Sequence, residues 1–290
     1  MLIPLQGDIR SDYRGFSQLL QLTTKTKQCF FDDIEIDMDS ISWIDANMCA
    51  PLGAILYKIS RDLNNVTINR VSSPIEQILS KNGFLSNYGR KAIKDTYKTT
   101  VEYKRFEPED DRYFAEYVEK NLVGKGIPRM SPGLLKKFKE SIFEIFSNAV
   151  IHSETKLGIF SCGQYFPRKH RFDFSIADLG IGIRDKLSRD VGLELSASRA
   201  IVWALEGKNT TKKGPIPGGL GLKLLREFVQ MNQGRIQIVS DCGYWEEAQG
   251  KDNISELKIP FPGTVVNVEI NTADTSSYCL ASEVNMDDIF

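Results

Sequence analysis

The sequence has few of the residues that metal sites and disulfide frameworks require. It contains two histidines and five cysteines in 290 residues. The cysteines are odd in number, widely scattered and without a CxxC pair, which argues against a disulfide framework and a zinc site. We therefore expect reduced thiols at all five positions, which are Cys29, Cys49, Cys162, Cys242 and Cys279.

A strong charge imbalance and a long apolar run are missing as well. The formal net charge of −1 gives no electrostatic argument for binding nucleic acid or a membrane surface. The segment MLIPLQGDIRSDYRG lacks a basic region followed by an apolar run, and no stretch is long enough to span a bilayer. We expect a cytoplasmic protein whose partners include neither nucleic acid nor membrane.

The length of the chain allows two medium domains, each with its own core. Clusters of β-branched residues predict strands at 33–38 and 65–71, and helical spacing predicts a helix between them with Pro51 near its start. A second helix is predicted over SSPIEQILSKNGF. This order is typical of a small α/β unit. The polar, basic segment 86–98 predicts a linker with a boundary near residue 95.

The remainder of the chain has strands that run together in places. Strands are predicted at 157–163, 171–177, GRIQIVS and GTVVNVEI, and helices near 194–206 and 220–232. A layered α/β sandwich with a mixed sheet fits this order better than a doubly wound parallel sheet. We expect an α/β domain over 1–95, a two-layer α/β sandwich over 96–271 and a mobile acidic tail over 272–290.

Three stretches combine polar residues or glycines with apolar surroundings. They are FEIFSNAVIH (143–152), FSIADLGIGI (174–183) and PGGLGLKLLREF (217–228). Glu144, Asn148 and His152 stand four apart, so on a helix they share one face. Alone, such a stripe is more often a solvated face, DxGxG is a common turn, and a glycine run before a helix is weak evidence for phosphate binding.

In their order and spacing the three stretches resemble the N, G1 and G2 boxes of the GHKL ATPases, a family that includes gyrase and the histidine kinases. FEIFSNAVIHSE is most similar to the anti-sigma-factor serine kinases, and the resemblance covers about residues 97–270. It implies a GHKL sandwich that binds ATP and Mg²⁺. No GxxxxGK[ST] occurs in the chain, which excludes the P-loop alternative.

The chemistry of the second and third stretches agrees with the resemblance. Asp178 follows a predicted strand, and Gly180 and Gly182 let the backbone approach a flat ring. A buried carboxylate accepts hydrogen bonds, so it matches the exocyclic amine of adenine and repels the carbonyl of guanine. In the third stretch, glycines run into a helix start, where unpaired N–H groups attract phosphate. The candidate residues there are Gly218, Gly219, Leu220, Gly221 and Leu222.

The polar stripe supplies the remaining candidates. The amide oxygen of Asn148 is a suitable ligand for Mg²⁺. The resemblance implies that Glu144 orients or deprotonates the nucleophile that attacks the γ-phosphate, which makes it the candidate catalytic residue. For His152, a place at the phosphate end and a structural role both stay open.

Two further candidates rest on the resemblance. ALEGKNTTKKGPIPGG has the composition of a mobile segment, and this region corresponds to the ATP lid of the family. Lys212 and Lys213 could fold over the triphosphate or simply face solvent. Thr264 resembles a threonine that helps to hold adenine through the aspartate, although threonine is also a common strand residue.

Most of residues 1–92 resembles the STAS fold of anti-sigma-factor antagonists. Those antagonists are switched by phosphorylation of a serine, but the corresponding stretch here is Asp45-Ala46-Asn47, which has no hydroxyl. Phosphorylation of this domain by its own second half is therefore not expected.

These features support two hypotheses. The first is an ATP-binding switch that hydrolyses ATP slowly or phosphorylates Ser/Thr of a regulatory protein partner, with lid closure controlling partner binding. The second is a signalling scaffold in which ATP is a structural ligand. A histidine kinase is disfavoured, because neither histidine lies in a dimerisation helix. A homodimer stays open.

Overall fold

The computed structural model describes residues 1–151, 153–206 and 220–283, and this part of the chain is a mixed α/β structure. Its first half contains a parallel three-stranded sheet with the order β1-β3-β5. The strands are β1 (Leu2–Pro4), β3 (Asp33–Met38) and β5 (Asn65–Val71), and a separate parallel pair is formed by β2 (Gly7–Ile9) and β4 (Ile41–Ile44). The strands predicted at 33–38 and 65–71 are confirmed.

The helices of the first half begin where local signals favour them. They are α1 (Tyr13–Lys25), α2 (Cys49–Arg61) and α3 (Ser73–Lys81). Asp12 caps α1, since its carboxylate accepts a hydrogen bond from the amide of Gly15 at 2.8 Å. Pro51 is the third residue of α2, where its missing N–H leaves no intrahelical bond unmade.

The second half contains a five-stranded sheet with the order β10-β11-β9-β8-β6. All four strand pairs are antiparallel, so the expectation of a mixed sheet was wrong for this sheet. The reason is that β8–β9 and β10–β11 are joined by short connections, which return the chain in the opposite direction. The strands are β6 (Thr100–Phe106), β8 (Ile159–Phe166), β9 (Arg171–Asp178), β10 (Arg235–Ala248) and β11 (Lys251–Asn271).

Helices cover one face of this sheet. Three of them, α4 (Asp111–Leu122), α5 (Pro132–Ile151) and α8 (Leu220–Met231), share an apolar core with the even-numbered side chains of β9, such as Phe174 and Ile176. The predicted helices near 194–206 and 220–232 correspond to α7 (Ala197–Leu205) and α8. Helix α6 (Gly182–Val191) was not predicted.

The opposite face of the five-stranded sheet is covered by the first half of the chain. Ile55 and Leu56 of α2 belong to the same apolar core as Phe160 of β8 and Ala177 of β9. The sheet therefore lies between two layers, the second-half helices on one side and the N-terminal half on the other. The domain boundary near residue 95 stays a prediction, since this core runs across it.

Part of the predicted tail forms a strand and contacts the rest of the chain. Strand β12 (Ser277–Tyr278) pairs with β7 (Arg129–Met130), and the carboxylate of Glu283 accepts a hydrogen bond from the amide of Gly133 at 3.0 Å. Residues 272–283 are thus held beside the start of α5, because their backbone groups find partners there. Residues 284–290 lie outside the described ranges.

Candidate functional site

Asp178 is the last residue of β9 and lies at the centre of the candidate site. Its side chain is buried, with 4% of its surface exposed, and the amide of Gly180 donates to its Oδ1 at 2.8 Å. No cationic side chain in the described ranges pairs with it. Burial raises the pKa of Asp178 to about 7, although hydrogen bonds from Gly180, Ser153 and Thr264 act in the opposite direction.

The loop after Asp178 lies directly on the end of helix α5. A Cβ added at Gly180 would be 2.2 Å from the backbone oxygen of Ser153, so only glycine fits there. The amide of Ile181 donates to the same oxygen at 2.9 Å. Gly182 has φ +76°, a conformation that favours glycine, and it begins α6. The second stretch of the sequence is thereby joined to the first.

Two neighbouring strands complete this end of the sheet. Val265 of β11 pairs with Ala177, which places Thr264 beside Asp178. Ser240 of β10 pairs with Thr264 in turn, and their hydroxyl oxygens are 3.0 Å apart. The structure therefore brings four of the candidate residues together, Asp178, Gly180, Gly182 and Thr264, and their role in binding a nucleotide stays a prediction.

Three residues of this cluster were missed by the sequence analysis. The first is Ser153, which contacts Gly180. The second is Ser240, whose hydroxyl accepts a hydrogen bond from the amide of Ile183 at 2.9 Å. The third is Gly263, where an added Cβ would lie 2.1 Å from the backbone oxygen of Asp178. Gly263 immediately precedes Thr264, which is the only sequence signal for any of the three.

Helix α5 carries the predicted polar stripe. Glu144 and Asn148 are both half-buried and lie one turn apart, which confirms that they share a helix face. The amide of Asn148 makes no hydrogen bond to another residue of the described ranges. Since Ser153 follows this helix and contacts Gly180, the C-terminal end of α5 lies next to the Asp178 loop. His152 lies outside the described residues.

Helix α8 runs back along α5. Phe228 of α8 stacks edge-on against Phe138 of α5 at 5.2 Å and against Tyr278 at 5.3 Å between ring centroids. The carbonyl of Tyr278 accepts from the amide of Ser131 at 2.8 Å, just before α5 begins. The last turns of α8 thus lie beside the first turns of α5, and the N-terminus of α8 points toward the end that carries Asn148.

The third stretch is described only in part. Leu220 and Gly221 open α8, whereas the half-buried Leu222 packs against the apolar core. Gly218, Gly219, Lys212 and Lys213 lie outside the described residues. Their predicted role at the phosphate end of the site stays a prediction.

A second row of polar side chains lies on the other face of the same three strands. Ser175, Asn267 and Gln237 are in register across β9, β11 and β10, each three residues from Asp178, Thr264 and Ser240. An odd spacing along a strand places side chains on opposite faces. The row is buried against the N-terminal half, where Asn47 donates to the hydroxyl of Ser175 at 2.9 Å.

The comparison of the chain with protein-family models gave no match, and the comparison with curated proteins gave none either. Among the residues that the structure describes, no cluster of three or more His, Cys, Asp or Glu side chains is arranged to hold a metal ion. Within the same ranges, no helix combines the length and apolarity needed to cross a membrane.

Proposed function

We propose that this protein is a GHKL-type ATPase or serine/threonine kinase in which a STAS-like half covers the sheet face opposite the nucleotide. The observation that carries the proposal is the environment of Asp178. This carboxylate is buried at a strand end, no cation of the described ranges pairs with it, and beyond its bonds to Gly180, Ser153 and Thr264 it can accept a further hydrogen bond from a donor on a ligand. The exocyclic amine of adenine is such a donor, and the carbonyl of guanine is not.

The surrounding backbone supports a flat ring at this position. Gly180 and Gly263 have no room for a Cβ, so the backbone beside the carboxylate is closely packed and its geometry is fixed. The hydroxyls of Thr264 and Ser240 add a second polar group within the same row of the sheet. Fixed donors and acceptors favour specificity, because a mismatched base would leave a buried polar group unpaired.

The polar stripe on α5 supports a binding site for the phosphates of ATP next to the adenine. The amide oxygen of Asn148, which makes no hydrogen bond within the described ranges, is a ligand that Mg²⁺ accepts, and the metal, when bound with ATP, would neutralise charge on the phosphate oxygens. Glu144 lies one turn earlier on the same face, a position suited to orienting a water or a hydroxyl for attack. Because the N-terminus of α8 points toward this end of α5, its positive dipole end favours anionic groups there.

The function is tested by titrating the full chain with Mg·ATP and Mg·GTP in a calorimeter. We expect binding of ATP over GTP, a loss of about 100-fold in ATP affinity for Asp178→Asn, and unchanged affinity for Asp185→Asn, an exposed aspartate of α6. Equal affinity of the wild type and Asp178→Asn for ATP, with both folded, would refute the adenine site.

Turnover separates the switch from a scaffold that only holds ATP. Glu144→Gln should retain ATP binding and lose hydrolysis or transfer, which is measured with ATP labelled in its γ-phosphate in the presence of a lysate. Phosphate released to water identifies an ATPase, and label on a protein Ser or Thr identifies a kinase. Signalling that is unchanged by Glu144→Gln would favour the scaffold.

A further inference from the structure

A cleft of about 720 Å³ lies between α2 of the N-terminal half and the edge strand β6 of the second half. Tyr57 and Tyr88 come from the N-terminal half, and Tyr103, Arg105 and Phe160 from the second half. The volume is within the range of small-molecule sites, and such sites occur preferentially between domains. None of these residues belongs to the proposed nucleotide site.

Three tyrosine hydroxyls line this cleft without a hydrogen-bond partner among the described residues. They belong to Tyr57, Tyr88 and Tyr103, which are all at least partly buried. None of the three hydroxyl oxygens is among the fully buried polar atoms that lack a partner, so each reaches the cleft, where a bound ligand can accept its hydrogen bond. Burial raises the pKa of Tyr88 and of Tyr103, so both hydroxyls keep their protons and can donate.

The walls of the cleft are aromatic and carry two cationic side chains, Lys104 and Arg105, and one carboxylate, Asp110. The ring centroids of Tyr57 and Phe160 are 5.6 Å apart, and the guanidinium of Arg105 lies over the Tyr57 ring at 4.4 Å. At the base of the cleft Tyr103 packs directly against α2, because a Cβ added at Gly53 would be 2.1 Å from the hydroxyl oxygen of Tyr103. Flat rings stack on such walls, and phenol and guanidinium donors favour a ligand rich in acceptors.

We propose that this cleft between the halves binds a small planar aromatic molecule that carries a carboxylate. The ring packs against the tyrosine rings, and the carboxylate accepts hydrogen bonds from the tyrosine hydroxyls and from Arg105, whose guanidinium also pairs with Glu107. Because the cleft is formed by both halves, the ligand also holds them together.

The test uses naphthoate as a probe and naphthamide as its uncharged analogue, titrated into the full chain by calorimetry. We expect naphthoate to bind more tightly than naphthamide. Substituting Tyr57, Tyr88 and Tyr103 together by Phe retains the rings and should weaken naphthoate at least about tenfold. Tyr97→Phe, an exposed tyrosine outside the cleft, should leave the affinity unchanged.

A single change keeps the proposal testable if the triple variant does not fold. Arg105→Gln should bring the affinities of naphthoate and naphthamide close together, because it removes the charge that distinguishes them. The proposal is overturned if naphthoate does not bind, or if its affinity is the same in the wild type, the triple variant and Arg105→Gln. ATP binding is measured in parallel, and its retention in these variants separates this cleft from the nucleotide site.

Discussion

Asn47 donates a hydrogen bond of 2.9 Å to the hydroxyl of Ser175, which joins the N-terminal half to the central strand of the five-stranded sheet. Both residues are almost completely buried. Under the proposed STAS-like assignment, Asn47 lies in the stretch that corresponds to the phosphorylated serine of the antagonists. In this structure the stretch is part of the interface between the two halves.

Removal of the Asn47 amide should destabilise the protein. In Asn47→Ala the hydroxyls of Ser175 and Ser11 each lose a buried donor, and we expect the free energy of unfolding to fall by about 2–3 kcal/mol. Denaturation with urea measures it. The matched control is Asn65→Ala, which removes an exposed amide bonded to Asp33 and should change stability by less than about 0.5 kcal/mol. Equal losses of unfolding free energy in the two variants would contradict a stabilising role for this interface.

The ion pair between Arg171 and Asp45 is a second link between the halves. Its atoms are 2.6 Å apart, and the Asp45 side chain is only 2% exposed. Arg171→Met leaves a buried charge without its partner, which should cost about 3–5 kcal/mol. Arg171→Met combined with Asp45→Asn should cost less than the sum of the single changes. In contrast, Arg112→Met breaks an exposed pair with Glu116 and should cost less than about 1 kcal/mol. Additive effects at Arg171 and Asp45 would show that the pair contributes nothing.

The raised pKa of Asp178, about 7 against an ordinary value of 3.8, makes stability depend on pH. A carboxyl that binds its proton more tightly in the folded state stabilises the fold fully below pH 3.8, and this contribution is lost as pH rises through 7. The full difference is of order 4 kcal/mol. Asp178→Asn should therefore be more stable than the wild type at about pH 8, with the difference shrinking toward pH 4. Urea denaturation of both proteins across this range measures it, and parallel pH profiles would contradict the shifted pKa.

Gly180→Ala should disturb the Asp178 loop for steric reasons. The added methyl group would lie 2.2 Å from the oxygen of Ser153, and such overpacking costs about 1–3 kcal/mol. We expect weaker Mg·ATP binding as well, if the proposed function is correct. The control is Gly250→Ala, where nothing lies within 4 Å of the added carbon and only the φ of +71° is unfavourable. Gly250→Ala should leave nucleotide affinity unchanged, and a similar loss of affinity in both variants would argue against a specific role for Gly180.

Several elements could be predicted from local signals in the sequence. Helical spacing was sufficient for α5 and its stripe of Glu144 and Asn148, and β-branched clusters were sufficient for β3 and β5. The position of Asp178 at a strand end followed from the glycines after it. Each of these signals lies within a few neighbouring residues, where period and turn chemistry act directly.

The contacts between residues far apart in the sequence could not be predicted and depend on the three-dimensional fold. Ser240 and Thr264 reach Asp178 through the register of β10, β11 and β9, and Ser153 reaches Gly180 through the packing of α5 on the sheet. The same register places the row of Asp178 and the row of Ser175 on opposite faces of the sheet. The row of Asp178 faces the helices, and the row of Ser175 faces the N-terminal half. Register between strands far apart in sequence depends on which faces become buried together, and that is a property of the whole fold.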